Sequence, residues 1–291
     1  MKIGVFGSHC QEDKLPLIQR LFKKLNMLGG VVYVQRDFYS FLTDNLKYKP
    51  AIAGVLDDGL FDLDIALSVG GDGTFLRTAA KINKQSIPIL AINTGRLGFL
   101  ADIGGKQLDK TLDELFQHKY RIEERMLLKL HTQEHVFQGY NYALNEVAIL
   151  KRDTSSMITV HTFLNDQYLT SYWADGLVIA TPTGSTAYSM SANGPIILPE
   201  SDNIVLNPIA PHSLNVRPLV IPGSYKITLR VESRTQTYLV ALDGRSEVLN
   251  MDTQLNIRKS DYTTLVIKRL NHTFYQTLRE KLMWGVDKRV K

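Results

Sequence analysis

The hydrophobic period of the chain changes near residue 120, and that change limits the possible folds more than any other feature. From Met1 to about Lys119 short apolar strands alternate with helical patterns. Lys2–Phe6 reads as a strand leaving through Gly-Ser-His. Leu15, Ile18, Phe22 and Leu25 then mark one face of a helix that Gly29 and Gly30 end. Val31–Val34, Asp64–Val69 and Ile87–Ile92 read as further strands, with helical stretches at Phe75–Ile82 and Leu108–Phe116. Strands separated by helices imply parallel β-α units, whose ligands bind outside the carboxyl ends of the strands. From about Tyr120 a period of two takes over, as in Lys226-Ile227-Thr228-Leu229-Arg230-Val231 and Gln254-Leu255-Asn256-Ile257-Arg258. That half reads as antiparallel β. Phe274, Leu278 and Leu282 return to a helical spacing, which predicts a closing helix over Thr273–Trp284.

With 291 residues, 44% of them hydrophobic, the chain can bury one large core or two modest ones. Its single cysteine, Cys10, excludes a disulfide framework and suits a reducing cytoplasm. The N-terminus lacks the apolar stretch of a signal peptide, and no run reaches the roughly 20 apolar residues that span a bilayer, so no membrane association is expected. A net charge of +5 favours polyanions such as nucleotides. The tail KRVK, Lys288–Lys291, is the only basic block, and nucleic acid is not an expected partner.

The sharpest local feature is DIALSVGGDGTFLRT, Asp64–Thr78, where a buried strand runs through Gly70, Gly71, Asp72 and Gly73 into Thr74 and a helix. Glycines let backbone approach a ligand closely, and the free N–H groups of a helix N-terminus donate to phosphate oxygens. A carboxylate among phosphates is unfavourable unless chemistry needs it, and proton abstraction from an attacking hydroxyl is such a need. Asp72 is therefore a candidate general base; a tight turn with an N-capping Asp explains the same string. The chain has no GxxxxGK[ST] and no complete GxGxxG. A second glycine loop, NTGRLGFL, carries Asn93, Gly95, Arg96, Gly98 and Phe99, and the open-sheet rule sets it beside the first. Phe99 either covers a base or fills the core.

In the second half, SYWADGLVIATPTGSTAYSMSANGP spans Ser171–Pro195. Its hydroxyls suit ribose and amide groups and its Tyr188 suits a ring, although a Ser/Thr-rich turn has the same composition. Asn145 and Glu146, inside an apolar segment, must find a partner in either protein or ligand.

GGDGTFLR, NTGRLGFL, ALNEVAI, DGLVIATPTGSTAYSMSANGP and PHSLNVRPLVIP resemble, in order and spacing, the motifs of the bacterial and archaeal NAD kinases. They sample Gly70 to Pro222. GGDG is shared with 6-phosphofructokinases and with diacylglycerol and sphingosine kinases, whereas TPTGSTAYS separates this family from them. The resemblance implies an N-terminal Rossmann-like α/β domain, residues 1–119 and 268–291, completed by the C-terminal helix. It also implies a central antiparallel β-sandwich domain, residues 120–267, with NAD bound in the cleft between them. The implied reaction is transfer of the γ-phosphoryl of ATP to the 2′-hydroxyl of the adenosine ribose of NAD, giving NADP and ADP. Asp72 would be its general base, with Mg²⁺ arriving on ATP and no protein metal site.

By position, the resemblance makes Gly73 the backbone partner of Asp72, Arg77 a nearby basic contact and Phe99 the neighbour of adenine. Gly70, Gly71, Gly73 and Thr74 would form the phosphate loop. Asn145 and Glu146 would hold ribose hydroxyls and Asp175 the nicotinamide end, while Thr186, Ala187, Tyr188, Ser189, Ser191 and Arg245 would complete the NAD pocket. A homodimer or homotetramer is implied. The chain departs from some relatives at Arg245, where glutamine is common, and at Trp173, where some have arginine; both positions bear on the choice between NAD and NADH. A lipid kinase and an inactive nucleotide-sensing module are the competing classes. Phosphorylation of a lipid in micelles marks the first, and NAD binding without turnover marks the second.

Overall fold

The structure, a computed structural model, describes residues 1–95, 98–133, 136–137, 139–153 and 156–285. Two compact units emerge: Met1–Glu123 with the chain from Leu265 onward, and Glu124–Thr264. The boundaries differ by a few residues from those expected at 119 and 267. Tyr120–Arg125 and Thr264–Arg269 are both strands of the first unit's sheet, so the chain leaves and re-enters that unit through paired backbone.

In the first unit, β1 (Lys2–Gly7), α1 (Leu15–Met27), β2 (Val31–Gln35), α2 (Arg36–Ser40), β3 (Gly54–Leu56), β4 (Ile65–Val69), α3 (Asp72–Ile82), β5 (Ile89–Ile92), α4 (Leu108–Phe116) and β6 (Tyr120–Arg125) follow in order. The seven-stranded sheet runs β3-β2-β1-β4-β5, then Thr264–Arg269, then β6. The pairings from β3 to the Thr264–Arg269 strand are parallel. Ile3, Val5, Leu67, Val69, Leu90 and Ile92 pack with Ile18, Phe22 and Leu25 of α1 and Leu112 and Leu115 of α4. β4 and β5 are buried along their whole length, as strands covered on both faces are.

Two elements carried no periodic signal. One is α2, which continues as a π-helical turn over Phe41–Asn45, and the other is the three-residue edge strand β3. α3 begins at Asp72 rather than Phe75, because its first turn holds Gly and Thr in place of periodic apolar residues. The closing helix spans Phe274–Leu282, and Thr273 and Gln276 form a capping box at its start.

The second unit is built from two six-stranded sheets of antiparallel pairs. One orders Gln167–Ala174, Ile158–Leu164, Ile227–Ser233, Leu255–Lys259, Leu128–His131 and Tyr142–Ala143. The other orders Leu219–Pro222, Asn203–Ile209, Gly176–Ala180, Glu146–Leu150, Thr237–Leu242 and Arg245–Asn250. Inward side chains of both sheets, among them Leu130, Val160, Leu229 and Ile257 from the first and Val147, Ile179, Leu206 and Val240 from the second, form one core. The outer face of the second sheet is also covered, with Ala148, Val178, Ala180 and Val205 packed against Ile197 and Ile209. Gly176–Ala180 is accordingly apolar at every position after its glycine instead of alternating.

Candidate functional site

Each unit carries its own set of the polar residues singled out above. In the first unit the fully buried strand β4 ends at Gly70, whose φ of +155° lies at the edge of the range that favours glycine. A Cβ there would fall 2.2 Å from Thr74 Oγ1. Gly71 then caps α3 with extended backbone, and Asp72 is the first helical residue. Among the described residues nothing lies within 4 Å of a Cβ built at Gly71, and at Gly73 only Arg77 Nη1 does, at 3.9 Å. Packing demands glycine at position 70, whereas positions 71 and 73 keep a helix N-terminus uncovered. Thr74 Oγ1 donates to Ser8 Oγ at 2.9 Å and accepts from Arg77 Nη2 at 3.3 Å, which ties the loop to the end of β1.

Asp72 does not cap its own helix. Its carboxylate accepts three backbone N–H groups of the second glycine loop, from Phe99 at 2.9 Å, Leu100 at 3.1 Å and Ala101 at 2.9 Å. Gly98 is held so close that a Cβ would sit 1.9 Å from Asp72 Oδ1. The two loops thus meet as the strand order requires. Asn93 steadies the second one, accepting from Gly95 N at 2.6 Å and donating to Ala101 O at 3.1 Å. Arg96 lies outside the described residues, as does the basic tail. Beneath the loop Asp102 forms a buried pair with Lys268 at 2.8 Å, and His272 Nε2 stands 3.6 Å from the same carboxylate. Burial, ahead of the surrounding charges, holds the His272 pKa below its usual value.

The ring of Phe99 is only 9% exposed. Phe274 lies 6.2 Å from it, centroid to centroid, and Lys281 Nζ stands 4.4 Å over the ring and 3.7 Å from Asp72 Oδ2. Sequence reasoning missed Lys281: on the closing helix it reads as one more solvated charge. Beside the loop a cavity of about 240 Å³ opens between Gly7, Ser8 and His9 after β1, Gln35 and Asp37, and Arg77 of α3.

In the second unit Asn145 and Glu146 open a fully covered strand. Asp243 holds that turn by accepting N–H groups from Leu144 at 2.7 Å, Asn145 at 2.8 Å and Glu146 at 3.2 Å. Asp243 and Gly244, at φ +49° and +83°, form the two-residue hairpin between Thr237–Leu242 and Arg245–Asn250. Loss of water raises the Asp243 pKa, against the three N–H groups. Burial, then Asp243, pushes Glu146 up to about 8, with the Tyr188 N–H opposing. Glu146 is therefore largely protonated at neutral pH, and among the described residues its Oε2 has no hydrogen-bond partner. The Asp-Gly pair between alternating apolar residues signals the hairpin in the sequence, but nothing there signals what its carboxylate grips.

The run from Thr181 turns on itself beside Asn145. Thr181 N donates to Asn145 O at 2.9 Å, and a Cβ at Gly184 would collide with that oxygen at 2.0 Å. Ser185 and Ser189 point inward, Ser185 Oγ bonding Pro182 O and Ser189 meeting Asn207 Nδ2. Thr186 and Ala187 are half-buried, and Tyr188 and Ser191 are exposed. Asp175, between two strands, pairs with Lys151 at 2.7 Å. The guanidinium of Arg245 is engaged by the carbonyls of Tyr140 and Tyr142, both at 2.6 Å, and lies 4.9 Å over the Tyr140 ring. Asn145, Glu146 and Tyr188 therefore come together through the Thr181–Tyr188 run, while Thr186 bonds Thr183 O within that run and Arg245 is anchored to the chain around Tyr140. Among the described residues no group of three His, Cys, Asp or Glu side chains could hold a metal ion. No described helix is long and apolar enough to cross a membrane.

Two solved structures share the fold. Yeast NADH kinase complexed with NADH aligns with a TM-score of 0.86 at 24% identity, over 100% of this chain and 90% of that one. An NAD kinase from Archaeoglobus fulgidus in complex with ATP aligns with a TM-score of 0.75 at 25% identity, over 97% and 98% of the two chains. The glycine loop with its carboxylate, on a fold shared with these two kinases, defines a phosphotransferase.

The sequence narrows this class. The ATP-NAD kinase N-terminal domain matches residues 16–120 and the ATP-NAD kinase C-terminal domain residues 144–269. NAD kinase of Bacteroides fragilis is 51% identical over 290 residues, covering 100% of both chains. That of Porphyromonas gingivalis is 49% identical over 284 residues, 98% of each. The chain belongs to the NAD kinase family, and its reaction is the ATP-dependent phosphorylation of NAD.

Proposed function

We propose that Asp72 is the general base of this reaction, taking the proton of the adenosine-ribose 2′-hydroxyl as that oxygen attacks the γ-phosphorus of ATP. The observation that carries the reading is its setting: a carboxylate fixed by three backbone N–H groups at the head of a helix whose glycines face open space. The N–H groups at Gly71–Gly73 and the guanidinium of Arg77 would meet the phosphates, where positioning and charge neutralisation supply most of the acceleration. The Archaeoglobus relative's complex with ATP agrees with a donor of this kind. A divalent ion, Mg²⁺, would arrive on the phosphates and hold them with water and few protein ligands.

Phe99 would lie against adenine, and the protonated Glu146 with its free oxygen would hold a ribose hydroxyl together with Asn145. Asp175 would face the nicotinamide end, with Gly73, Thr186, Ala187, Tyr188, Ser189, Ser191 and Arg245 completing the set. We further propose a homo-oligomer working in the cytoplasm.

The test is NADP formation from NAD, ATP and Mg²⁺, read through an NADP-specific dehydrogenase, with Asp72→Asn alongside. The variant should still bind NAD but lose at least about two orders of magnitude in turnover. Near-normal turnover in a folded variant rejects Asp72 as the base.

A further inference from the structure

One ammonium group occupies two positions that the proposed reaction reserves for substrate. Lys281 Nζ lies 3.7 Å from Asp72 Oδ2, where the ribose hydroxyl must come, and 4.4 Å over the ring of Phe99, where adenine must stack. Phe99 shows only 9% of its surface, and Phe274 at the head of the same closing helix covers another part of the ring. A base stacks on a phenylalanine at van der Waals contact, so it cannot share that face with an ammonium. Adenosine can be seated only after Lys281 has left.

Where the ammonium goes decides which molecules can displace it. Leaving breaks a carboxylate contact and a cation–π contact together, each modest because both charged groups remain about 30% exposed. A neutral nucleoside offers nothing in return, and the displaced ammonium goes to water. A dinucleotide brings a pyrophosphate on the 5′ side of the same ribose, an anion within the swing of a four-carbon side chain. There Lys281 also separates two negative charges, the pyrophosphate and Asp72, that would otherwise repel.

We propose that Lys281 is a specificity-determining residue of the acceptor site: it guards Phe99 and Asp72 against neutral nucleosides and yields to acceptors whose phosphates take over its charge. The inference rests on the assignment of Phe99 and Asp72 to the adenosine end of NAD. No bond is made or broken by Lys281; it exchanges one set of ionic contacts for another.

The experiment measures the affinities of adenosine and of NAD by calorimetry on the full chain, for the wild type, Lys281→Met, Lys281→Arg and Phe99→Ala, with kcat and KM for NAD alongside. Lys281→Met should bind adenosine about three- to tenfold more tightly and NAD no more tightly, or up to a few-fold more weakly. The preference for NAD over adenosine then falls about tenfold, Lys281→Arg restores it, and kcat changes less than KM. An unchanged preference, or an equal gain for both ligands, overturns the proposal. Phe99→Ala separates this failure from that of its premise. If it weakens both ligands while Lys281→Met leaves the preference intact, the role of Lys281 is wrong. If it weakens neither, the adenosine assignment is wrong and the inference falls with it.

Discussion

Asp72 and Asp243 do the same mechanical work in different company. Each carboxylate accepts three consecutive backbone N–H groups from a segment far away in sequence, Phe99–Ala101 for one and Leu144–Glu146 for the other. Beside Asp72 stand a lysine, an aromatic ring and two glycines facing open space. Beside Asp243 stands a second, buried carboxyl, that of Glu146, and a cation already committed to two carbonyls. A clamp on backbone can therefore serve either chemistry or architecture. The neighbours decide which: an accessible cation and room for phosphate on one side, a desolvated acid on the other.

The largest expected effect tests the first half of that contrast. Asp72→Asn should lose at least about 100-fold in kcat, equivalent to roughly 2.7 kcal/mol of barrier. Asp243→Asn should break the comparison the other way. Losing charge-assisted bonds to a buried turn should lower stability by about 2–3 kcal/mol, read from urea midpoints. Its kcat should stay within a few-fold of the parent; a loss like that of Asp72→Asn would mean that Asp243 also does chemistry.

Glu146 sharpens the electrostatic side. With a folded-state pKa of about 8 against an ordinary 4.5, it keeps a proton that the unfolded chain has released. Its contribution to stability therefore falls as pH rises from about 4.5 to about 8 and is fully lost above that. Glu146→Gln carries no such proton, so its melting temperature should gain on the parent's from pH 5 to pH 9, by the equivalent of about 4 kcal/mol. Parallel melting curves across that range would remove Glu146 as a buried acid.

The smallest effect concerns the glycines. Gly71→Ala has an ordinary backbone and free space for its methyl, so its stability should fall by no more than about 1 kcal/mol, the difference between glycine and alanine at an N-cap, while the KM for ATP rises. Gly98→Ala would drive a methyl into the Asp72 carboxylate and should lose the clamp itself. Equal stability loss in both variants would mean that Gly71 serves packing.

What the sequence made legible was local. The strand-to-helix junction at GGDG, the apolar face of α1, the helix over Leu108–Phe116 and the alternation of Ile227–Ser233 all follow from periods that repeat within a few residues. β3 is three half-buried residues at a sheet edge and α2 a single turn and a half, too short for any period to register. The contacts that shape the site join residues far apart. Asp72 reaches 27 to 29 residues along the chain and Asp243 97 to 99, and neither separation leaves a trace in composition or spacing. Lys281 shows the same limit, since a helix-surface lysine and one covering an active-site phenylalanine look alike in a string of letters.

The order of strands in the first sheet has a consequence for synthesis. β5 is bordered by Thr264–Arg269, so the partner for one of its edges emerges from the ribosome more than 170 residues after β5 itself. At ordinary elongation rates the run of Ile89–Ile92 waits roughly ten to thirty-five seconds with unpaired backbone on that side. The intervening unit has its own core, but that core is complete only once Leu255–Lys259 has emerged, a few residues before the missing strand itself. The nascent chain is then most prone to aggregate while the first unit is an open-edged sheet, and a ribosome stalled before Thr264 should leave both units incomplete, the second lacking Leu255–Lys259 and the first Thr264–Arg269.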